Sequence, residues 1–121
     1  MKILAIDGNS SVTSMLDRVL NSCGFEFSSV NGGNEGLKMM HEQKFDLVLL
    51  DPDVTDFSGL DIIDVLGRED LLHKQKIILF TAIPMTDREI HQFLMRGIHY
   101  FIRKPMDVDH LIERLNEIGS S

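Results

Sequence analysis

The stretch Phe45-Asp46-Leu47-Val48-Leu49-Leu50-Asp51 decides the fold. Leu47 to Leu50 is apolar at every position, so it can bury both faces, as a central parallel strand covered by helices must. Asp51 then stands at the strand's C-terminal end. Working outward, three more short apolar runs end near a polar residue. Ile3-Leu4-Ala5-Ile6 leads to Asp7, Ile77-Ile78-Leu79-Phe80 to Thr81, and Tyr100-Phe101-Ile102 to Lys104. As parallel strands of one sheet, these runs bring four polar side chains to one edge, where open α/β sheets place their ligand crevice. Two carboxylates, a hydroxyl and an ammonium there suit a divalent cation and a phosphoryl group.

Helix-period segments alternate with the strands, which is the βαβ signature. Val12, Met15, Leu16, Val19, Leu20 and Cys23 recur at helical spacing over residues 10–23, with Gly24 as the stop. Phe25 and Phe27 alternate with Glu26 and Ser28 and predict a second, less buried strand. Gly32 to Met40 reads as a short helix with Leu37 and Met40 inward. A loop from Pro52 to Ser58 leads into a helix carrying Leu60, Ile63 and Leu66. After Pro84, a helix from about Thr86 turns Ile90, Phe93 and Leu94 inward and stops at Gly97. Val108, Leu111, Ile112, Leu115 and Ile118 form the closing helix, and Gly119-Ser120-Ser121 reads as the start of a linker or a free tail. Five strands and five helices result, without an internal repeat or a domain boundary. Right-handed crossovers leave few arrangements. The expected fold class is α/β, a doubly wound (βα)5 flavodoxin-like sandwich over residues 1–121, with a parallel five-stranded sheet of order 2-1-3-4-5. Asp7 and Asp51 then meet at the switch point.

The 121 residues suit one domain with one real core. Twelve basic and 19 acidic residues give a net charge of −7, which disfavours nucleic acid and anionic membranes as partners of this domain. Cys23 is the sole cysteine, which fits a reducing cytoplasm and leaves no disulfide framework. No apolar run nears the roughly 20 residues needed to span a bilayer, and the N-terminus enters a strand without a signal-peptide pattern. The five histidines, His41, His73, His91, His99 and His110, lack metal-ligand spacing and read as surface or edge residues.

From end to end the chain resembles the receiver domain of two-component response regulators. The matching pieces are Ile3-Leu4-Ala5-Ile6-Asp7, Phe45 to Asp51 with Gly59 eight residues on, Phe80-Thr81-Ala82, and Phe101-Ile102-Arg103-Lys104-Pro105. The resemblance implies that Asp51 accepts a phosphoryl group from a histidine kinase or phosphotransfer protein. It assigns Mg²⁺ to Asp7, Asp51 and the backbone carbonyl of Asp53. Thr81, Lys104 and the N–H groups of Asp53 and Ala82 would contact the phosphoryl group, and Phe101 would be the switch aromatic. The surface of the fourth helix, fifth strand and fifth helix would pass the state to a downstream protein. No output domain is visible, so the chain reads as a stand-alone receiver or the N-terminal piece of a longer protein.

The departure is Gly8, which stands where the family has a second metal-binding acid. A unit charge about 4 Å from a dication is worth on the order of 8 kcal/mol gross at an effective dielectric of about 20, and desolvation cancels much of it. Weakened Mg²⁺ affinity is the expectation. The Asp53 carboxylate and the Asn9 amide oxygen are the neighbours placed to compensate. Pro52 after the acceptor and Thr55 further alter this loop.

Each polar residue alone has an ordinary role: an acid in a turn or N-cap, a hydroxyl on a local backbone group, a solvated lysine with a packed stem. Phe101 equally suits a fixed core-edge aromatic, and Met39, Met40 and Met95 suit core or edge filler. Four such polar groups at four strand ends favour the phosphoacceptor pocket. Two other functional readings stand beside it. One is a phosphorylation-independent pseudo-receiver that only binds proteins. The other is a haloacid-dehalogenase-like phosphatase, suggested by Asp51-Pro52-Asp53-Val54-Thr55. The phosphatase reading lacks its later pair of metal-binding acids, because Asp107 and Asp109 read as the first turn of the closing helix.

Overall fold

In the computed structural model, strands β1 (Lys2–Ile6), β2 (Glu26–Val30), β3 (Leu47–Leu50), β4 (Ile77–Thr81) and β5 (Tyr100–Arg103) form one sheet in the order β2-β1-β3-β4-β5. Every pairing is parallel, with Ile6 opposite both Val30 and Leu50, and Leu50 opposite Leu79. The expected topology and its switch point between β1 and β3 are therefore present. The structure describes residues 1–54, 56 and 59–120, without the side chains of residues 59 and 60. Thr55, Ser58, Ser121 and the inward position expected for Leu60 lie outside the described residues.

The helices are α1 (Ser10–Ser22), α2 (Gly33–Glu42), α3 (Gly59–Arg68), α4 (Leu71–Lys74), α5 (Asp87–Arg96) and α6 (Val108–Ser120). Period-two alternation along the strands divides the core between the two faces. Leu4, Ile6, Val48, Leu50 and Leu79 pack under α2 and α3. Ile3, Ala5, Leu47, Leu49 and Ile78 pack under α1 and α6. The central strands β3 and β4 are buried at every position, whereas β2 is buried only at Phe27. No helix among the described residues is long and apolar enough to cross a membrane.

Several local expectations are corrected. Among the described residues there are six helices rather than five, because Leu71 and Leu72 bury themselves in the four-residue α4, a run too short to show a period. On α5, Ile90 and Phe93 are half-buried, but Leu94 is exposed, and Met95 is 74% exposed rather than core filler. Successive helical residues turn by about 100°, so the narrow stripe that seats α5 ends at Phe93. Cys23 is the exposed C-cap of α1 rather than an inward residue. The closing helix continues through Gly119 and Ser120 where a linker was expected, and the Met1 side chain lies against Gly119.

Gly36 sets how closely α2 approaches β1. A Cβ there would overlap the Cδ1 and Cγ1 atoms of Ile6, which is fully buried. Gly36→Ala is expected to destabilise the fold by about 1–3 kcal/mol through overpacking. That outweighs the helix-propensity gain of about 1 kcal/mol. Urea denaturation reads this directly, and an unchanged or higher midpoint would contradict the close approach.

Candidate functional site

The sheet brings Asp7, Asp51, Thr81 and Lys104 to one edge, as their positions after β1, β3, β4 and β5 dictate. The backbone holds each end in place. Asp7 N–H donates to the Val30 carbonyl at 3.1 Å, Asp51 N–H to Ile6 at 2.9 Å, and Lys104 N–H to Thr81 at 2.9 Å. Both acids then make the same local turn, in which one carboxylate oxygen accepts a backbone N–H two residues on. Asp7 Oδ1 accepts from Asn9 at 2.9 Å, and Asp51 Oδ1 accepts from Asp53 at 2.9 Å.

The remaining oxygens face Lys104. Its Nζ donates to Asp51 Oδ2 at 2.9 Å and also to Asp7 Oδ2. The side chains are 14% exposed for Lys104, 5% for Asp7 and 14% for Asp51, so this ion pair is largely dry. Burial pulls the Lys104 ammonium toward a lower pKa. The hydrogen bonds from Asp7 and Asp51, and their negative charges, outweigh it and hold the pKa above the ordinary lysine value. The Lys104 ammonium also lies 5.0 Å from the centre of the Phe80 ring. With both acids ionised, the three groups carry a net charge of −1.

Thr81 is fully buried, and its Oγ1 accepts the Ile83 N–H at 3.1 Å. Ala82 is exposed at the mouth of the edge. Phe101 is half-buried and packs against the core under α2 and α3. All five histidines are exposed, as read from their spacing.

A divalent cation fits the donors present in kind, since Asp7 and Asp51 offer hard carboxylate oxygens side by side. In number they fall short. Asp53 is exposed, and among the described residues no three His, Cys, Asp or Glu side chains form a group able to hold a metal. Asn9 does not supply a metal donor either. Its Oδ1 accepts the Ser11 and Val12 N–H groups at 2.9 and 3.3 Å and caps α1. Gly8 lies in an exposed bend, and positive φ among the described glycines occurs only at Gly24 and Gly97. The backbone at Gly8 therefore accepts an L side chain.

Two supports were not visible in the sequence. Asn31 Nδ2 donates to the Asp7 carbonyl at 2.8 Å and to Thr13 Oγ1 at 3.2 Å, bracing the turn behind the acid. Asp56, in the connection that follows Asp51, accepts the Gly33 and Asn34 N–H groups at 2.6 and 3.0 Å. It caps α2 from another loop, since Gly32 offers no side-chain cap. The Asn34 and Gly33 N–H groups lower the Asp56 pKa. The phosphatase reading loses further ground here. Asp107 Oδ1 accepts the Asp109 N–H at 2.9 Å, and Asp109 sits in the first turn of α6.

Comparison with known proteins accords with this geometry. The family model described as response regulator receiver domain matches residues 3–116. The chain is 24% identical to the chemotaxis protein CheY of Pseudomonas aeruginosa, over 98% of this chain and 95% of that protein. It is 28% identical to the CAI-1 autoinducer sensor kinase/phosphatase CqsS of Vibrio cholerae, over 94% of this chain but 17% of that protein. The non-phosphorylated HemR receiver domain of Leptospira biflexa has the same fold, with a TM-score of 0.86 and 21% identity over 99% of this chain and 94% of that one. The chain thus spans nearly all of one curated relative and a small part of another.

Proposed function

Since the chain belongs to the response regulator receiver family, whose members are phosphoryl-accepting modules of signal transduction, we propose that Asp51 is its phosphoacceptor and a histidine kinase or phosphotransfer protein its donor. The observation that carries this is the convergence of Asp51, Lys104 and Asp7 at one largely buried edge, with Thr81 at the end of the neighbouring strand.

In the reaction, Asp51 Oδ2 attacks phosphorus, a P–O bond forms, and the P–N bond to the donor histidine breaks. The imidazole leaves and recovers a proton. The attacking oxygen is the one now bonded to Lys104, so the ammonium must release it and follow the charge onto the phosphoryl oxygens. The Asp53 N–H already points at the Asp51 carboxylate. The Thr81 hydroxyl accepts from Ile83 and keeps its own proton to donate outward. Asp7 and Asp51, with the Asp53 carbonyl, would hold Mg²⁺, which supplies positive charge to the transferring group. Phe101, at the core edge, is the aromatic placed to respond when Thr81 moves. The exposed surface of α5, β5 and α6, including Leu94, Met95 and Tyr100, would carry the readout to a downstream protein.

A pseudo-receiver remains the second reading because one specific observation favours it: Gly8 leaves two acids that Lys104 already satisfies. An amide NMR titration with Mg²⁺ and then beryllofluoride separates the two. The phosphoacceptor reading expects saturating shifts at Asp51, Thr81, Ala82 and Phe101, absent in Asp51→Asn. A folded protein that gives no response, or the same response in Asp51→Asn, would leave the interaction module as the better account.

A further inference from the structure

Two consecutive residues of the neighbouring chain segment grip the backbone of Asp7 from both sides. Its N–H donates to the Val30 carbonyl at 3.1 Å, which adds one rung to the ladder past the Ile6–Val30 pair. In a continued parallel pair, the next rung would bring a backbone N–H to the Asp7 carbonyl. β2 ends at Val30, and the Asn31 side chain fills that rung instead, with Nδ2 2.8 Å from the carbonyl oxygen. The amide also donates to Thr13 Oγ1 at 3.2 Å. Thr13 is buried, and its hydroxyl donates to the Ser10 carbonyl at 3.1 Å, so Asn31 ties the end of β1 to the first turn of α1.

The bonds to Val30 and from Asn31 hold the two rigid peptide planes that flank the Asp7 Cα. Between them they fix both backbone dihedrals of Asp7, and with them the direction in which its carboxylate leaves the chain. The residue that follows makes this grip consequential. Gly8 is conformationally freer than any residue with a side chain, so the Asp7–Gly8 peptide is poorly restrained by the chain itself. Rotation of that peptide would swing the carboxylate, whose Oδ1 accepts the Asn9 N–H at 2.9 Å and whose Oδ2 accepts from Lys104. Lys104 in turn donates to Asp51 Oδ2 at 2.9 Å, so a displaced Asp7 would unbalance both acids.

We infer that Asn31 is a positioning residue: by fixing the Asp7–Gly8 peptide it aims the Asp7 carboxylate at Lys104 and at a cation held beside Asp51, offsetting the freedom of Gly8. The cation half rests on the phosphoacceptor reading, and the Lys104 half does not. Metal-free NMR of the Lys104 ammonium tests the second. Asn31→Ala should move that signal toward its position in Asp7→Asn, and should have no further effect within Asp7→Asn. Asn21→Ala is the control, since Asn21 also bridges segments through its side chain, to Asp17 Oδ1 at 2.7 Å and the Phe27 N–H at 3.3 Å, and should leave the signal in place. Calorimetric titration with Mg²⁺ tests the first half. Groups that orient a metal ligand from behind typically alter affinity by about 10- to 100-fold when removed, and Asn31→Ala should weaken binding about tenfold. Asn31 is exposed, so its truncation leaves no cavity. If Asn31→Ala nevertheless lost its dispersed spectrum, Asn31→Leu, similar in shape but without a donor, would carry the comparison. A Lys104 signal unmoved by Asn31→Ala, or moved equally by Asn21→Ala, would overturn the inference, as would undiminished Mg²⁺ affinity. A wild type that binds no Mg²⁺, with the Lys104 shifts as expected, would instead strike the phosphoacceptor reading and support Asn31 as the residue that aims Asp7.

Discussion

Replacing Gly8 with aspartate is expected to tighten Mg²⁺ binding by about 10- to 100-fold. The new carboxylate would join Asp7 and Asp51, raising the site from two acids to three. Its gross attraction for a dication is on the order of 8 kcal/mol at about 4 Å and an effective dielectric of about 20. Desolvation and the nearby Lys104 ammonium remove most of that, and a remainder of about 1.4–2.7 kcal/mol corresponds to the stated range. The Gly8 backbone needs no positive φ, so the substitution adds charge without backbone strain. Calorimetric titration of Mg²⁺ into wild type, Gly8→Asp and Gly8→Asn provides the measurement. Equal gains in the aspartate and asparagine variants would mean that charge is not the missing element. Without metal, Gly8→Asp should be somewhat less stable than wild type, because it raises the net negative charge of the edge from −1 to −2.

Lys104→Met should produce the largest loss of stability at this edge. Methionine keeps an apolar stem over Phe80 but leaves Asp7 and Asp51 facing each other without a counter-charge. Breaking a buried pair from one side costs about 3–5 kcal/mol, and rehydration of a partly open edge reduces the expected value to about 2–3 kcal/mol. Mg²⁺ should recover more of that in the variant than it adds to wild type, since the ammonium no longer competes for the two acids. Denaturant midpoints with and without Mg²⁺ test both statements, and a variant as stable as wild type would sink the first. The pH dependence has a definite sign. The folded-state pKa of Lys104 lies above the ordinary 10.5. Its contribution is therefore complete below that value and is lost as pH rises through the folded-state pKa. The stability gap between wild type and Lys104→Met should thus stay flat from about pH 6 to about pH 9 and close only in strong alkali.

The sheet and its order were legible because each central strand is a continuous apolar run that only a doubly covered position can bury. The convergence of the four candidate site residues at one edge was legible for the same reason, each lying at or just past the end of such a run. What escaped was whatever depends on pairs of distant residues. Asp56 caps α2 across more than 20 residues, and no local pattern marks that contact. Leu94 and Met95 are apolar residues at helical spacing, yet spacing does not reveal how wide a stripe the sheet covers. Gly119 looked like a tail because glycine disfavours helix interiors, whereas Met1 occupies the space a side chain there would fill. Asn9 could have been read correctly. An asparagine directly before Ser10-Ser11-Val12 is a strong N-cap signal, and its proposed metal role set that signal aside.

The Asp7–Lys104 contact joins residues 97 positions apart and reaches over the ends of β3 and β4 to connect β1 with β5. During synthesis the chain emerges N-terminal end first, and contacts of long sequence separation form only after the intervening loops have closed. A nascent chain that has emerged only through β4 therefore exposes two acids without their shared cation. The edge becomes electrostatically complete only when the last strand docks. On the proposed function, competence to handle a phosphoryl group is in this way tied to possession of a finished domain, and a truncated product carries the proposed acceptor aspartate without its lysine partner.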